Sequence, residues 1–172
     1  VPDGVLQQVA NEAVKLVESL LGDWSGGSAP ERREIDPRDP ATSSITLVDR
    51  PQSVQSEIRI GHVGLDRATS DYFPVVVMNA ILGGVFTSRL NMNLRERNAF
   101  TYHVRSGFGM RRGRGPFVVS TAVRNDVTGA AVREILEELR RIGSGDVTRD
   151  ELDEVKNYIG GVFPQSVATA SS

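Results

Sequence analysis

Two strand-like runs, FTYHVRSGFGMR (residues 100–111) and GPFVVSTAVR (115–124), flank the turn-forming RGRG. Such runs on either side of a glycine turn predict a hairpin, and hairpin strands pair antiparallel. This feature constrains the fold most. A two-stranded ribbon is not stable alone, so other strands and a covering layer must complete it. Upstream, ITLVD (45–49) and VQSEIRIGHVG (54–64) predict two more strands. In the second, Val54, Ser56, Ile58, Ile60 and His62 share one face, and Gln55, Glu57, Arg59 and Gly61 share the other.

The covering layer is legible as helices. Val5, Val9, Ala13, Leu16 and Leu20 recur at three- and four-residue steps, an amphipathic helix closed by Gly22. SDYFPVVVMNAILGG (70–84) predicts a buried helix, with Ser70 or Asp71 as cap, Pro74 in the first turn and a glycine pair as its stop. FTSRLNMNLRER (86–97) predicts a shorter helix with Leu90 and Leu94 facing the core. VTGAAVREILEELRRIGSG (127–145) predicts a helix with Val132, Ile135, Leu136 and Leu139 inward and a solvated charged face that pairs Glu137 with Arg141. VTRDELDEVKNYIGGVF (147–163) opens with a capping box, Thr148 to Glu151. The order α-ββ-αα-ββ-αα gives an α+β sandwich, an antiparallel sheet with helices on one face. Residues 23–44, rich in Gly, Pro, Ser and charge, read as a long exposed connection. The expectation is one domain over 1–172, part of a longer polypeptide, with a frayed tail at 165–172.

Composition excludes several chemistries. Cysteine is absent, so disulfides, thiolate metal sites and cysteine nucleophiles are out. A net charge of −2 supplies no field for nucleic acid, and the arginines of MRRGRG (110–115) read as edge protection. No apolar run approaches the roughly 20 residues that span a bilayer. The two histidines, His62 and His103, belong to no H-x-x-E-H or H-E-x-x-H motif, so no metal site is expected in this chain. There is no G-x-S-x-G elbow and no phosphate-binding glycine motif. Two polar groups remain, seven residues apart: Arg95 near the end of a helix, and Tyr102 at the start of a strand, on the same side as Val104. By spacing alone both read as structural, the arginine reaching along the surface and the tyrosine burying its ring at an edge.

QSEIRIGHVGLDRATSDYFPVVVMNAILGG, ILGGVFTSRLNMNLRERNAFTYHVRSGF and VTRDELDEVKNYIGGVFPQSV together cover much of the chain. They resemble the pitrilysin and mitochondrial-processing-peptidase family of zinc metallopeptidases, and more narrowly the non-catalytic half of its bacterial zinc-protease branch. LGG-x-x-x-SRL followed by LRE and then Tyr carries the resemblance. It implies that zinc lies in a catalytic half or partner subunit, and that the two halves enclose unfolded peptides in a chamber. It also implies that Arg95 and Tyr102 contact the substrate backbone and the developing oxyanion across that chamber. By the same analogy the compartment is periplasmic, or the protein is secreted. One departure stands out: the glycine-rich turn of the family reads RNAF (97–100) here. The other readings are an inactive assembly scaffold of the same fold, and an unrelated ligand-binding domain with a deep closed pocket.

Overall fold

The computed structural model describes residues 3–31 and 37–168. It divides into two compact units, residues 1–34 and 35–172. In the first, helix α1 spans Asp3–Leu21, and its Val5, Val9, Leu16 and Leu20 are exposed. The described part of the predicted connection at 23–44 has no regular secondary structure; residues 32–36 lie outside the described residues.

In the second unit, strand β1 (Gln55–Val63) is followed by helix α2 (Tyr72–Asn79), then β2 (Val104–Phe108) and β3 (Pro116–Arg124). Helices α3 (Thr128–Gly143) and α4 (Arg149–Ser166) complete it. The sheet is antiparallel with order β1-β3-β2. Ile58, Phe117, Val119, Val123 and Val104 project from one face into a core with Leu82, Leu90, Leu94, Ala131 and Ile135. The helices cover this face, as an α+β sandwich requires. Among the described residues, no helix is long and apolar enough to cross a membrane.

Several expectations are corrected. Residues 45–49 form no strand, and Ile45, Leu47 and Val48 are exposed. β-Propensity is realised only against a ladder partner and a surface to bury on, and β1 pairs with β3 alone. The 100–124 hairpin forms, but its strands pair only from Val104↔Thr121 to Phe108↔Phe117, so residues 109–115 are a longer loop than RGRG suggests. On α3 the buried positions are Ala131, Ile135 and Glu138, whereas Leu136 is half exposed. The stripe is centred one residue away from the expected one, and the charged face is therefore not fully solvated. Glu137 pairs with Arg140 rather than Arg141. Asp71 occupies the cap of α2 without a side-chain cap bond. Helix α4 continues through Ser166, into the expected tail, while residues 169–172 lie outside the described residues.

The capping box of α4 forms as the sequence predicts, and it does more than cap. The Thr148 side chain accepts from the Glu151 N–H, and the Thr148 N–H donates to Glu151 Oε2 at 2.9 Å. Arg89 of the SRL motif donates to the same carboxylate through Nε at 2.6 Å and Nη2 at 2.8 Å, a two-pronged pair. The Arg89 bond, joined by those from Thr148, pulls the Glu151 pKa down from 4.5 to about 2, against the opposing effect of burial. The folded pKa lies below the unfolded one. The pair therefore stabilises fully above pH 4.5, and this stabilisation is lost as pH falls from there toward 2. With the Glu151 side chain 31% exposed, solvent screening limits this stabilisation to about 2 kcal/mol at neutral pH. Glu151→Gln is expected to lower unfolding free energy in urea by that amount at pH 7 and to converge with the parent near pH 2. Parallel pH profiles for the two proteins would contradict this origin of the acid sensitivity.

Candidate functional site

The sequence between Arg95 and Tyr102 folds in an unusual way. Helix α2 widens into a π-helical turn at Ala80–Gly84, and a second π-helical segment spans Asn91–Arg97. π-Turns are rare and displace side chains from the ordinary helical face. The second segment buries Leu94 completely, as Leu90 just before it is buried, and carries Arg95 in its last turn. The guanidinium lies over the Phe86 ring, 4.2 Å from its centroid, and 3.4 Å from the Glu96 carboxylate. Phe86 was not singled out from the sequence. Its place just beyond the glycine pair was the available signal, and an exposed phenylalanine there serves as a shelf for the cation.

The turn after this segment holds Ala99 at φ 50°, the sole non-glycine residue with positive φ among the described residues. The left-handed region costs an L-residue roughly 1 kcal/mol or more. Ala99→Gly removes that cost but adds about 0.4–1 kcal/mol of unfolded-chain freedom, so stability is expected to hold level or rise by up to about 1 kcal/mol. Ala99→Val is expected to lose more than 1 kcal/mol. Thermal melts of the two variants check the sign. A stabilised valine variant would contradict the backbone geometry.

Beyond Ala99, Thr101 fixes the approach to β2. Its hydroxyl donates to the Ala122 carbonyl at 2.8 Å and accepts from Thr121 Oγ1 at 3.0 Å and the His103 N–H at 3.2 Å. This knot interrupts strand alternation. Tyr102 consequently does not share a side with Val104: Val104 is fully buried and Tyr102 is 92% exposed. Nor does Tyr102 bury its ring at an edge, as the spacing alone suggested. Buried Asn91 ties the two carriers together, donating to the Val85 carbonyl at 3.2 Å and accepting from the Val104 N–H at 3.3 Å. Asn93 anchors the same segment to α3 through Glu134 and Glu138, at 2.9 and 2.8 Å.

Arg95 and Tyr102 thus line one open groove, with Glu96, Phe100 and Arg124 around it. Arg95 and Arg124 have acidic neighbours at 3.4 and 3.2 Å. The Tyr102 hydroxyl has no hydrogen-bond partner among the described residues. Both side chains donate hydrogen bonds, so the pair suits binding of a carbonyl or oxyanion. A second concavity surrounds the Arg89–Glu151 pair, with Glu138 and Arg141. Its charges already neutralise each other, and we read it as structural.

Among the described residues no three His, Asp or Glu side chains gather as metal ligands. His62 Nδ1 lies 2.7 Å from the Val63 carbonyl, and its ring packs on Phe117 at 5.1 Å.

Comparison with known proteins decides the family. A family model described as "Peptidase M16 inactive domain" matches residues 9–159. This chain belongs to the peptidase M16 inactive-domain family. Bacillus subtilis (strain 168) has two similar proteins. The "uncharacterized zinc protease YmxG" is 24% identical over 177 residues, covering 99% of this chain and 42% of that protein. The "probable inactive metalloprotease YmfF" is 22% identical over 166 residues, covering 96% of this chain and 36% of that protein. The chain therefore spans less than half the length of these relatives. A crystal structure of a peptidase M16 inactive domain from Pseudomonas fluorescens aligns at TM-score 0.73 with 32% identity, over 78% of this chain and 32% of that one. A protease from Helicobacter pylori shares the fold at TM-score 0.67 and 18% identity, over 72% of this chain and 30% of that one. The chain is thus an inactive domain of a zinc-protease family, and the ligand-binding-domain reading is set aside.

Proposed function

We propose that this M16 inactive domain is the non-catalytic half of a zinc metalloendopeptidase. It walls one side of a chamber that encloses unfolded peptide, and lends Arg95 and Tyr102 to a zinc site on another domain or subunit. One observation carries this reading: a cation and a phenol from different elements line the same open groove, with the phenol 92% exposed. An exposed tyrosine ring sacrifices apolar burial, and Tyr102 returns no packing to the fold. Its role then lies outside this chain. In open water two such donors are weak. When a second half closes over them and excludes water, they hold a developing oxyanion far more strongly.

A scaffold role is the second reading, favoured by the description of the relative YmfF as inactive. Turnover by the assembled two-half enzyme separates the two. Loss of activity in Arg95→Ala or Tyr102→Phe supports the contributing half. Parental turnover in both supports the scaffold.

A further inference from the structure

On the other side of Tyr102 from Arg95, the outward face of the sheet carries two arginines in one row. Arg59 on β1 and Arg105 on β2 both stand opposite Ser120 on β3. Two strand spacings separate their backbones, about 10 Å. Both side chains are exposed and line a groove with Glu57, His103 and Ser120 that adjoins the Arg95 groove, Tyr102 forming part of both. Arg105 Nε lies 3.4 Å from Ser120 Oγ. Among the described residues neither arginine has a carboxylate within ion-pair distance. Glu57, on the same face two residues before Arg59, offsets one of these charges and leaves the row net positive.

The adjacent row is bare. Gly61 and Gly107 flank Val118. At Gly61 an added Cβ would strike the Phe117 carbonyl at 2.2 Å, so the fold itself requires that glycine. At Gly107 an added Cβ would meet nothing within 4 Å. A strand glycine weakens the strand, and often marks a place where another backbone approaches closely. Among the described residues no crowding demands Gly107. A flat floor beside two arginines that carry a net positive charge even with Glu57 nearby suits an extended peptide carrying a carboxylate.

We propose that Arg59 and Arg105 form a subsite for an Asp or Glu side chain of the bound peptide, with Gly61, Val118 and Gly107 as the floor beneath its backbone. This rests on the reading of Arg95 and Tyr102 as contacts to the scissile bond. Tyr102 and Arg105 are three residues apart, about 10 Å along an extended chain. The recognised acid therefore lies within about three positions of the cleaved bond.

The test uses the assembled two-half enzyme and pairs of quenched fluorescent decapeptides that differ only by Glu or Gln at each position near the cleaved bond. At one position the Glu peptide is expected to have a kcat/KM about tenfold or more above its Gln twin at low salt, narrowing as salt is added. In the Arg59→Gln/Arg105→Gln double variant, with unchanged melting temperature, that ratio falls to near one. Gly107→Val is expected to raise KM for both peptides without loss of thermal stability. Equal Glu and Gln rates at every position overturn the subsite, as does a preference that survives the double variant. Failure of the underlying reading has a different signature: parental turnover in Arg95→Ala and Tyr102→Phe.

Discussion

Arg95→Ala and Tyr102→Phe, each made in the assembled enzyme, are expected to lower kcat by about 10²- to 10³-fold, the usual cost of removing one donor from a developing oxyanion. The effect falls on kcat because such donors bind the transition state more tightly than the ground state. Folding is barely touched. The Tyr102 hydroxyl has no partner among the described residues, so replacing it leaves nothing unpaired. Arg95 contributes a long ion pair with Glu96 and a ring contact with Phe86, worth about 1 kcal/mol or less at a half-exposed site. A large kinetic loss with an unmoved melting temperature is therefore the expected pattern. If unfolding tracked the kinetic loss, both side chains would be structural and the proposed role would fail.

The second large effect is expected at Gly83. An added Cβ there would lie 2.6 Å from Ser106 Oγ, 2.8 Å from the Ser106 backbone nitrogen and 2.9 Å from Leu90 Cδ1. The backbone nitrogen belongs to β2, which is locked into the sheet and cannot yield cheaply. Gly83→Ala is expected to cost about 2–3 kcal/mol or more by forcing β2 and the π segments apart. The second π segment carries Arg95 and β2 follows shortly after Tyr102, so activity should fall with stability. Gly84 is the internal control. Its added Cβ would meet Asn79 at 3.0 to 3.1 Å, and Gly84 itself is exposed. Gly84→Ala should therefore cost well under half as much. Equal costs at the two positions would contradict this packing.

Gly83 also marks where the sequence stopped being legible. A glycine pair after a helical run reads as a stop that exploits positive φ. Neither glycine has a positive φ, and Gly83 is required by close packing against a strand more than 20 positions later. Local pattern carries no trace of such a partner. Signals closed within a few residues were read correctly: the Thr148–Glu151 box, the hairpin, and the inward Leu90 and Leu94. Ile45–Val48 misled because β-propensity says nothing about whether a neighbouring edge accepts the strand. Alternation puts Tyr102 on the wrong face because it assumes an uninterrupted strand, whereas Thr101 ties the chain to Ala122 and Thr121 just before β2 begins. The candidate pair itself came from resemblance, not from spacing. The backbone device between its members, Ala99 at φ 50°, was visible only as a departure from a glycine turn.

The most direct measurement is a structure of the assembled protein with a peptide or a tetrahedral transition-state mimic bound. The Arg95 guanidinium and the Tyr102 hydroxyl are both expected within about 2.7–3.1 Å of the oxygen that becomes the oxyanion, or of the neighbouring peptide carbonyl. A bound peptide cleaved at a site that neither group can reach would contradict the account.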